Sequence, residues 1–225
     1  PAAPRPPVES SAPVGADTIA GRMSRISATT GRPELIAIGV STGGPKALAT
    51  LVPALPANLG VPVLVVQHMP PVFTQTLADS LAAKTALKVR EAVDGERLLP
   101  NVVYIAPGGR QMRVRSHPEG GTAIQITEDP PENNCRPSVD YLFRSLASVL
   151  PGRSLAVILT GMGSDGALGL RLMKRHGCLV LAQDQATCVV YGMPRAAVEA
   201  GVVDASLPLE AIAPRIVTAL RGGVR

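Results

Sequence analysis

The chain has 225 residues, 46% of them apolar, enough to bury one good-sized core with length to spare for a tail. Three cysteines without paired or metal-ligand spacing point to reduced thiols in a cytoplasmic protein rather than to disulfides or structural zinc, and no apolar run approaches a membrane span. A formal charge of +5 suits an acidic partner, but with 2% aromatic residues and no Trp the chain lacks stacking platforms for nucleic acid, so an acidic protein surface is the better reading.

Residues 1 to 33 are rich in Pro, Ala and Ser with no sustained apolar period, the composition of a linker or tail. Residues 34–225 read as one domain. It opens on Ile36-Ala37-Ile38-Gly39-Val40, an apolar strand that breaks into Ser41-Thr42-Gly43-Gly44 and then an Ala- and Leu-rich helix, with Pro45 suited to its first turn. Ser41 thus stands at the mouth of a helix, where it can cap the helix, hold a phosphate or act as a nucleophile; Gly39 to Gly43 also matches the G-x-S-x-G elbow. Leu48, Leu51 and Leu55 predict that the helix runs on to Pro56.

The β-branched run Val63 to Val66 predicts a strand covered on both faces, with His68 just past its carboxyl end. Phe73, Leu77 and Leu81 recur every four residues, as on the buried face of a helix reaching about Lys84. Strands follow at Lys88 to Ala92 and Val102 to Ala106, then a solvent-facing hairpin pairing Met112 to Arg115 with Ala123 to Thr127, with His117 at its surface tip. Asp129 to Arg136 reads as a loop. Ser138 then caps a helix with Asp140 in its first turn and Leu142, Phe143, Leu146 and Leu150 on its buried face.

Leu155 to Leu159 predicts another buried strand, ending in a second glycine-rich turn, Thr160-Gly161-Met162-Gly163-Ser164-Asp165-Gly166. The helix after it carries Leu168, Leu172 and Met173 and ends at His176-Gly177. A strand from Cys178 to Ala182, a turn holding Asp184, a short helix after Tyr191-Gly192-Met193-Pro194 and a closing helix from Pro208 to Leu220 complete the chain. Strands alternating with helices predict an α/β, doubly wound, mostly parallel sheet with helices on both faces and one small antiparallel hairpin.

In such a sheet, ligands bind outside the carboxyl ends of the strands, where Ser41 and His68 both fall. A hydroxyl at a helix mouth, an imidazole and a carboxylate make a nucleophile, a base and the group that orients the base. Asp165 and Asp184 each follow a buried strand and are both candidates for the carboxylate, although Asp184 sits in a polar turn where Asp commonly bonds its own backbone. The competing reading is a Rossmann-like nucleotide-binding module. Against it, the glycine spacing is not G-x-G-x-x-G, and the second strand ends in Gln67-His68 where an acidic ribose ligand is expected.

From about Leu35 to Leu220 the chain resembles the catalytic domain of the bacterial chemotaxis protein-glutamate methylesterases, the CheB family. The resemblance rests on Ala37 to Pro45, Gln67-His68-Met69, Arg136 to Asp140, Leu159 to Gly166 and Val190 to Pro194. It implies Ser41 as nucleophile, His68 as base and Asp165 as third member of a triad, with Thr42 beside the nucleophile and the Met162 amide as oxyanion donor. It further implies hydrolysis of glutamyl methyl esters on the cytoplasmic domain of methylated chemoreceptors, releasing methanol, with glutamine deamidation as a related activity and no cofactor or metal. Two departures stand out: Cys135 occupies a position where the family commonly has His, and residues 1 to 33 are too short for the receiver domain that normally precedes the esterase. The tail resembles the interdomain linker, so the chain is expected to be a catalytic fragment or to be regulated otherwise.

Overall fold

β1 (Leu35–Val40) is buried along its whole length at the centre of a seven-stranded sheet, flanked by β2 (Val63–Gln67) and β7 (Ser154–Ile158). The computed structural model from which this description is drawn describes residues 31–222, so most of the tail expected over residues 1 to 33 lies outside the described residues. Outward from β2 come β4 (Val102–Ile105) and β3 (Lys88–Glu91); outward from β7 come β8 (Leu179–Gln183) and the short β9 (Ala205–Leu207). Every pair in this sheet is parallel, and β5 (Gln111–Ser116) pairs with β6 (Thr122–Thr127) in a separate antiparallel hairpin. The doubly wound architecture is therefore as expected.

Alternation along β1 sends Ile36, Ile38 and Val40 to one face of the sheet and Leu35 and Ala37 to the other, because successive side chains point oppositely. The first face is covered by α1 (Gly44–Leu51), α2 (Phe73–Ala82) and α6 (Leu209–Leu220) through Leu48, Leu51, Leu77, Leu81, Ile212 and Ile216. The second is covered by α3 (Val139–Val149), α4 (Ala167–Arg175) and α5 (Met193–Glu199), together with Met112, Val114 and Ile124 of the hairpin. No described helix is long and apolar enough to cross a membrane.

Several local expectations need correction. Helix α1 stops at Leu51 rather than running to Pro56, since Pro53 cannot donate an amide hydrogen and its ring crowds the preceding turn. Phe73 is 58% exposed and Leu168 56%: the buried faces are instead Thr74, Leu77, Ala78 and Leu81 in α2, and Gly169, Leu170 and Met173 in α4. The hairpin is not solvent-facing throughout, because its alternation gives it one apolar face and that face packs into the second core.

Candidate active site

The chain leaves β1 toward β2 on one side and later leaves β7 toward β8 on the other, so the loops after these adjacent strands diverge and open a crevice at the carboxyl edge of the sheet. Ser41 follows β1, His68 follows β2 and Asp165 lies in the loop after β7. The register Val40↔Gln67 brings the first two side by side, and the His68 amide donates to Val40 O at 3.1 Å. Ser41 does not cap α1. The cap residue is Gly43, at φ 83°, with Ser41 two residues outside it and its amide donating to Thr160 O at 3.0 Å. Loop and loop are thereby tied together, and Gly161 completes the junction: a Cβ there would lie 2.8 Å from the Ser41 Cβ and 2.4 Å from Met193 Sδ.

His68 Nε2 and Asp165 Oδ2 are 2.8 Å apart. Asp165 is 4% exposed and fully engaged: Oδ1 accepts from Asn133 Nδ2 (2.8 Å), Ser138 Oγ (2.8 Å) and the Asp140 amide (3.1 Å), while Oδ2 also accepts from the Val139 amide (2.7 Å). Two of these donors are free amides of the first turn of α3, so a helix N-terminus faces the carboxylate. Burial acts to raise the pKa of Asp165, but the hydrogen bonds from His68, Asn133, Val139 and Asp140 outweigh it and hold the carboxyl below its usual value. An ionised carboxylate accepts only, which puts the imidazole proton on Nε2 and leaves Nδ1 as the basic nitrogen. Cys135 Sγ stands 3.7 Å from that Nδ1, and the Ser41 hydroxyl is not hydrogen-bonded to it. Burial, with the Asp165 charge adding, pushes the Cys135 thiol up to about 11.

Asp184 is elsewhere. Its Oδ1 accepts from the Thr187 amide (2.9 Å) and Thr187 Oγ1 (2.7 Å), the self-contained turn its neighbours predicted. His117 stays in its hairpin turn, accepting from the Glu119 amide at 3.2 Å, and His176 caps the end of α4. Met162, 70% exposed, projects from the loop after β7, and Thr42 is fixed through its carbonyl, which accepts from Thr160 Oγ1 at 2.9 Å.

Three residues at the site escaped sequence reasoning. Ser138 does cap α3, accepting from the Tyr141 amide, but its hydroxyl also donates to Asp165. Asn133, at φ 53°, bridges Asp165 Oδ1 and Asp140 Oδ2 at 2.8 Å each. Gln67 Nε2 donates at 3.0 Å to both Ser41 O and His68 O, clamping the two loops, and a Cβ on Gly44 would come within 1.8 Å of its Oε1. The signal for Gln67 was a polar residue at the end of an otherwise apolar buried strand.

Beside the crevice a cleft of about 480 Å³ runs from Met162 past Tyr191 to Glu199. A larger cavity of about 720 Å³, lined by Arg32, Glu34 and Arg153 among others, opens at the amino ends of the strands, away from Ser41, and its one carboxylate, Glu34, is paired with Arg153.

The model of the CheB methylesterase family matches residues 36–216. A protein-glutamate methylesterase/protein-glutamine glutaminase of Desulfotalea psychrophila is 53% identical over 188 residues, covering 83% of this chain and 52% of its own length. Its counterpart in Maricaulis maris is 48% identical over 194 residues, covering 86% and 48%. The chain thus spans about half the length of the curated relatives it matches. The crystal structure of the Thermotoga maritima CheB methylesterase catalytic domain superposes with a TM-score of 0.80 at 40% identity, over 82% of this chain and 97% of that one.

Proposed function

The chain belongs to the CheB methylesterase family, and from that premise we propose that residues 34–225 form a serine methylesterase unit acting on glutamate methyl esters of chemoreceptors in the cytoplasm. The observation that carries this reading is the 2.8 Å contact between His68 and a saturated, ionised Asp165, beside the turn that bears Ser41. Nδ1 of His68 takes the Ser41 proton, the hydroxyl oxygen attacks the ester carbonyl, and backbone N–H groups, that of Met162 among them and Thr42 beside them, receive the oxyanion. His68 returns the proton to the departing methoxide, giving methanol. Water, activated by the same nitrogen, then cleaves the acyl-enzyme to glutamate. The Ser41–His68 hydrogen bond closes as substrate enters, as catalytic bonds commonly do on passing from the free enzyme to the complex. The same sequence acting on a glutamine amide releases ammonia, which fits the second activity in the relatives' names. Nothing in these steps calls for a cofactor.

Exposed Val72, Met162 and Val189 on the loops around the crevice, with Phe73 at the start of α2, suit a protein substrate more than a small ester. The nucleotide-binding alternative is not favoured. The glycine turn is covered rather than open to a phosphate, since a Cβ on Gly43 would lie 2.6 Å from Val189 Cβ and one on Gly44 would collide with Gln67. Methanol release from methylated receptor tests the reading: Ser41→Ala should lose at least about 10³-fold in turnover with circular dichroism unchanged. Activity within about tenfold of the parent would remove Ser41 from the role.

A further inference from the structure

His68 Nδ1, the nitrogen left basic by the Asp165 contact, faces a thiol within hydrogen-bonding reach, Cys135 Sγ at 3.7 Å. Among the described residues, His68, Cys135 and Asp165 offer ligand atoms within 4.8 Å of one another. With bonds of about 2.3 Å to sulfur and 2.0–2.1 Å to nitrogen, a tetrahedral zinc ion spaces its sulfur and nitrogen ligands about 3.6 Å apart. The observed 3.7 Å therefore needs almost no adjustment. The other side of the ring is closed to an ion. Nε2 and Oδ2 are only 2.8 Å apart, whereas tetrahedral nitrogen and oxygen ligands stand about 3.3 Å apart, and both Asp165 oxygens already accept from other donors. Asp165 instead orients the ring from behind through Nε2–H, the usual carboxylate partner of a metal-bound imidazole. The site is reachable, with the His68 side chain 15% exposed and Cys135 half-buried.

We propose that Cys135 Sγ and His68 Nδ1 form an inhibitory site for a thiophilic divalent cation of the zinc class. Binding replaces the thiol proton, which leaves to solvent as the metal–sulfur bond forms, and solvent completes the tetrahedron. The ion takes the lone pair that must accept the Ser41 proton, so occupancy and turnover exclude each other. That consequence, unlike the binding itself, rests on the esterase reading above.

Binding and inhibition are measured separately on the whole chain. Cobalt(II) added to the metal-free protein should give a thiolate-to-cobalt absorption band in the near ultraviolet, displaced by zinc. The band should persist in Ser41→Ala and vanish in Cys135→Ser, although Cys178 and Cys188 remain. Zinc should reversibly inhibit methanol release, with chelator restoring it, and Cys135→Ser should raise the half-inhibitory zinc concentration at least tenfold, each protein being compared with its own metal-free rate. A missing band, or one that survives Cys135→Ser, overturns the site. Inhibition unchanged by Cys135→Ser overturns the mechanism. A Ser41-independent esterase that still binds cobalt through Cys135 would count against the proposed nucleophile and leave the metal site standing.

Discussion

At the level of single residues, Asp165 is held by five donors, and those donors decide what substitution there does. Oδ1 and Oδ2 each accept from a backbone N–H, so an amide must turn its NH₂ toward that of Asp140 or that of Val139, which can only donate, leaving at least one buried donor unpaired at a cost of about 1–3 kcal/mol. Asp165→Asn should therefore lose stability, and, since the amide favours the wrong imidazole tautomer, turnover should fall by roughly 10³ to 10⁴. Asp184→Asn, which disturbs only a local turn, should cost far less in both measurements; a larger loss of turnover at 184 than at 165 refutes the assignment. The sign of the pH effect follows from the lowered pKa. A carboxyl whose folded-state pKa lies below its unfolded value, about 3.9, contributes stability that is fully present above that value and disappears as pH falls through the folded one. Asp140, pushed up by burial, works in the opposite sense, its contribution fading as pH rises. The gap in urea midpoint between the parent and Asp165→Asn should thus be widest near neutral pH and shrink below about pH 4. A gap independent of pH would mean that shape rather than charge holds Asp165 in place. Sequence alone keeps both Asp165 and Asp184 as strand-end candidates, with the polar turn counting against Asp184, and the resemblance picks Asp165 independently. What distinguishes them physically, the α3 amides aimed at one and the Thr187 turn closing around the other, depends on contacts 25 to 27 residues apart in one case and three in the other. Only the second is visible in a local stretch.

Among the elements, those that sequence made legible share a simple cause, a single burial rule along their length. β1, β2, β7 and β8 are covered on both faces and read as apolar runs, while α3 and α6 are long enough to repeat their apolar face, through Leu142, Phe143 and Leu146 and through Ile212 and Ile216. β9, three residues paired to β8 alone, is too short to carry a period and was not foreseen. The outward placement of Phe73 and Leu168 has another origin: a fourfold spacing gives the direction of an apolar stripe, but which neighbouring stripe faces the sheet depends on packing. The contact between α3 and α4 shows how much packing decides. Gly169 lies against α3, where a Cβ would meet Phe143 Cβ at 2.5 Å and Asp140 Oδ1 at 3.2 Å, and its amide donates to that same Oδ1 at 2.7 Å. Helix propensity favours Gly169→Ala by about 1 kcal/mol, whereas overpacking of a tight core costs about 1–3 kcal/mol. Since the contact is with a Cβ rather than the end of a flexible side chain, overpacking should win. Gly169→Ala should melt lower than the parent and, by shifting Asp140 and the α3 amides, turn over more slowly; a higher melting temperature would show that α4 can move aside at no cost.

For the molecule as a whole, the sheet divides the interior into two cores while every proposed reactive group lies along one edge, so substrate must approach from that side. Composition could state that the surface is basic, at a formal charge of +5, but not which face meets the partner, because exposed charges follow no period. What the fold adds is an apolar rim of Val72, Phe73, Met162 and Val189 around the crevice, a contact surface that salt does not weaken. Two components of docking can thus be separated by ionic strength. On the proposed reading, attraction between the net positive chain and an acidic receptor surface is screened as the Debye length falls from about 30 Å at 0.01 M to about 8 Å at 0.15 M, whereas apolar contact and the chemistry proposed for Ser41 are not. Over that range kcat/KM for methylated receptor should fall several-fold, chiefly through slower association, while the rate with a small neutral methyl ester stays level. The small ester serves as the control for any effect of salt on His68 or on the fold. If both substrates slow in parallel, salt is acting within the site; if neither slows, the basic charge has no part in docking and the rim alone must hold the receptor.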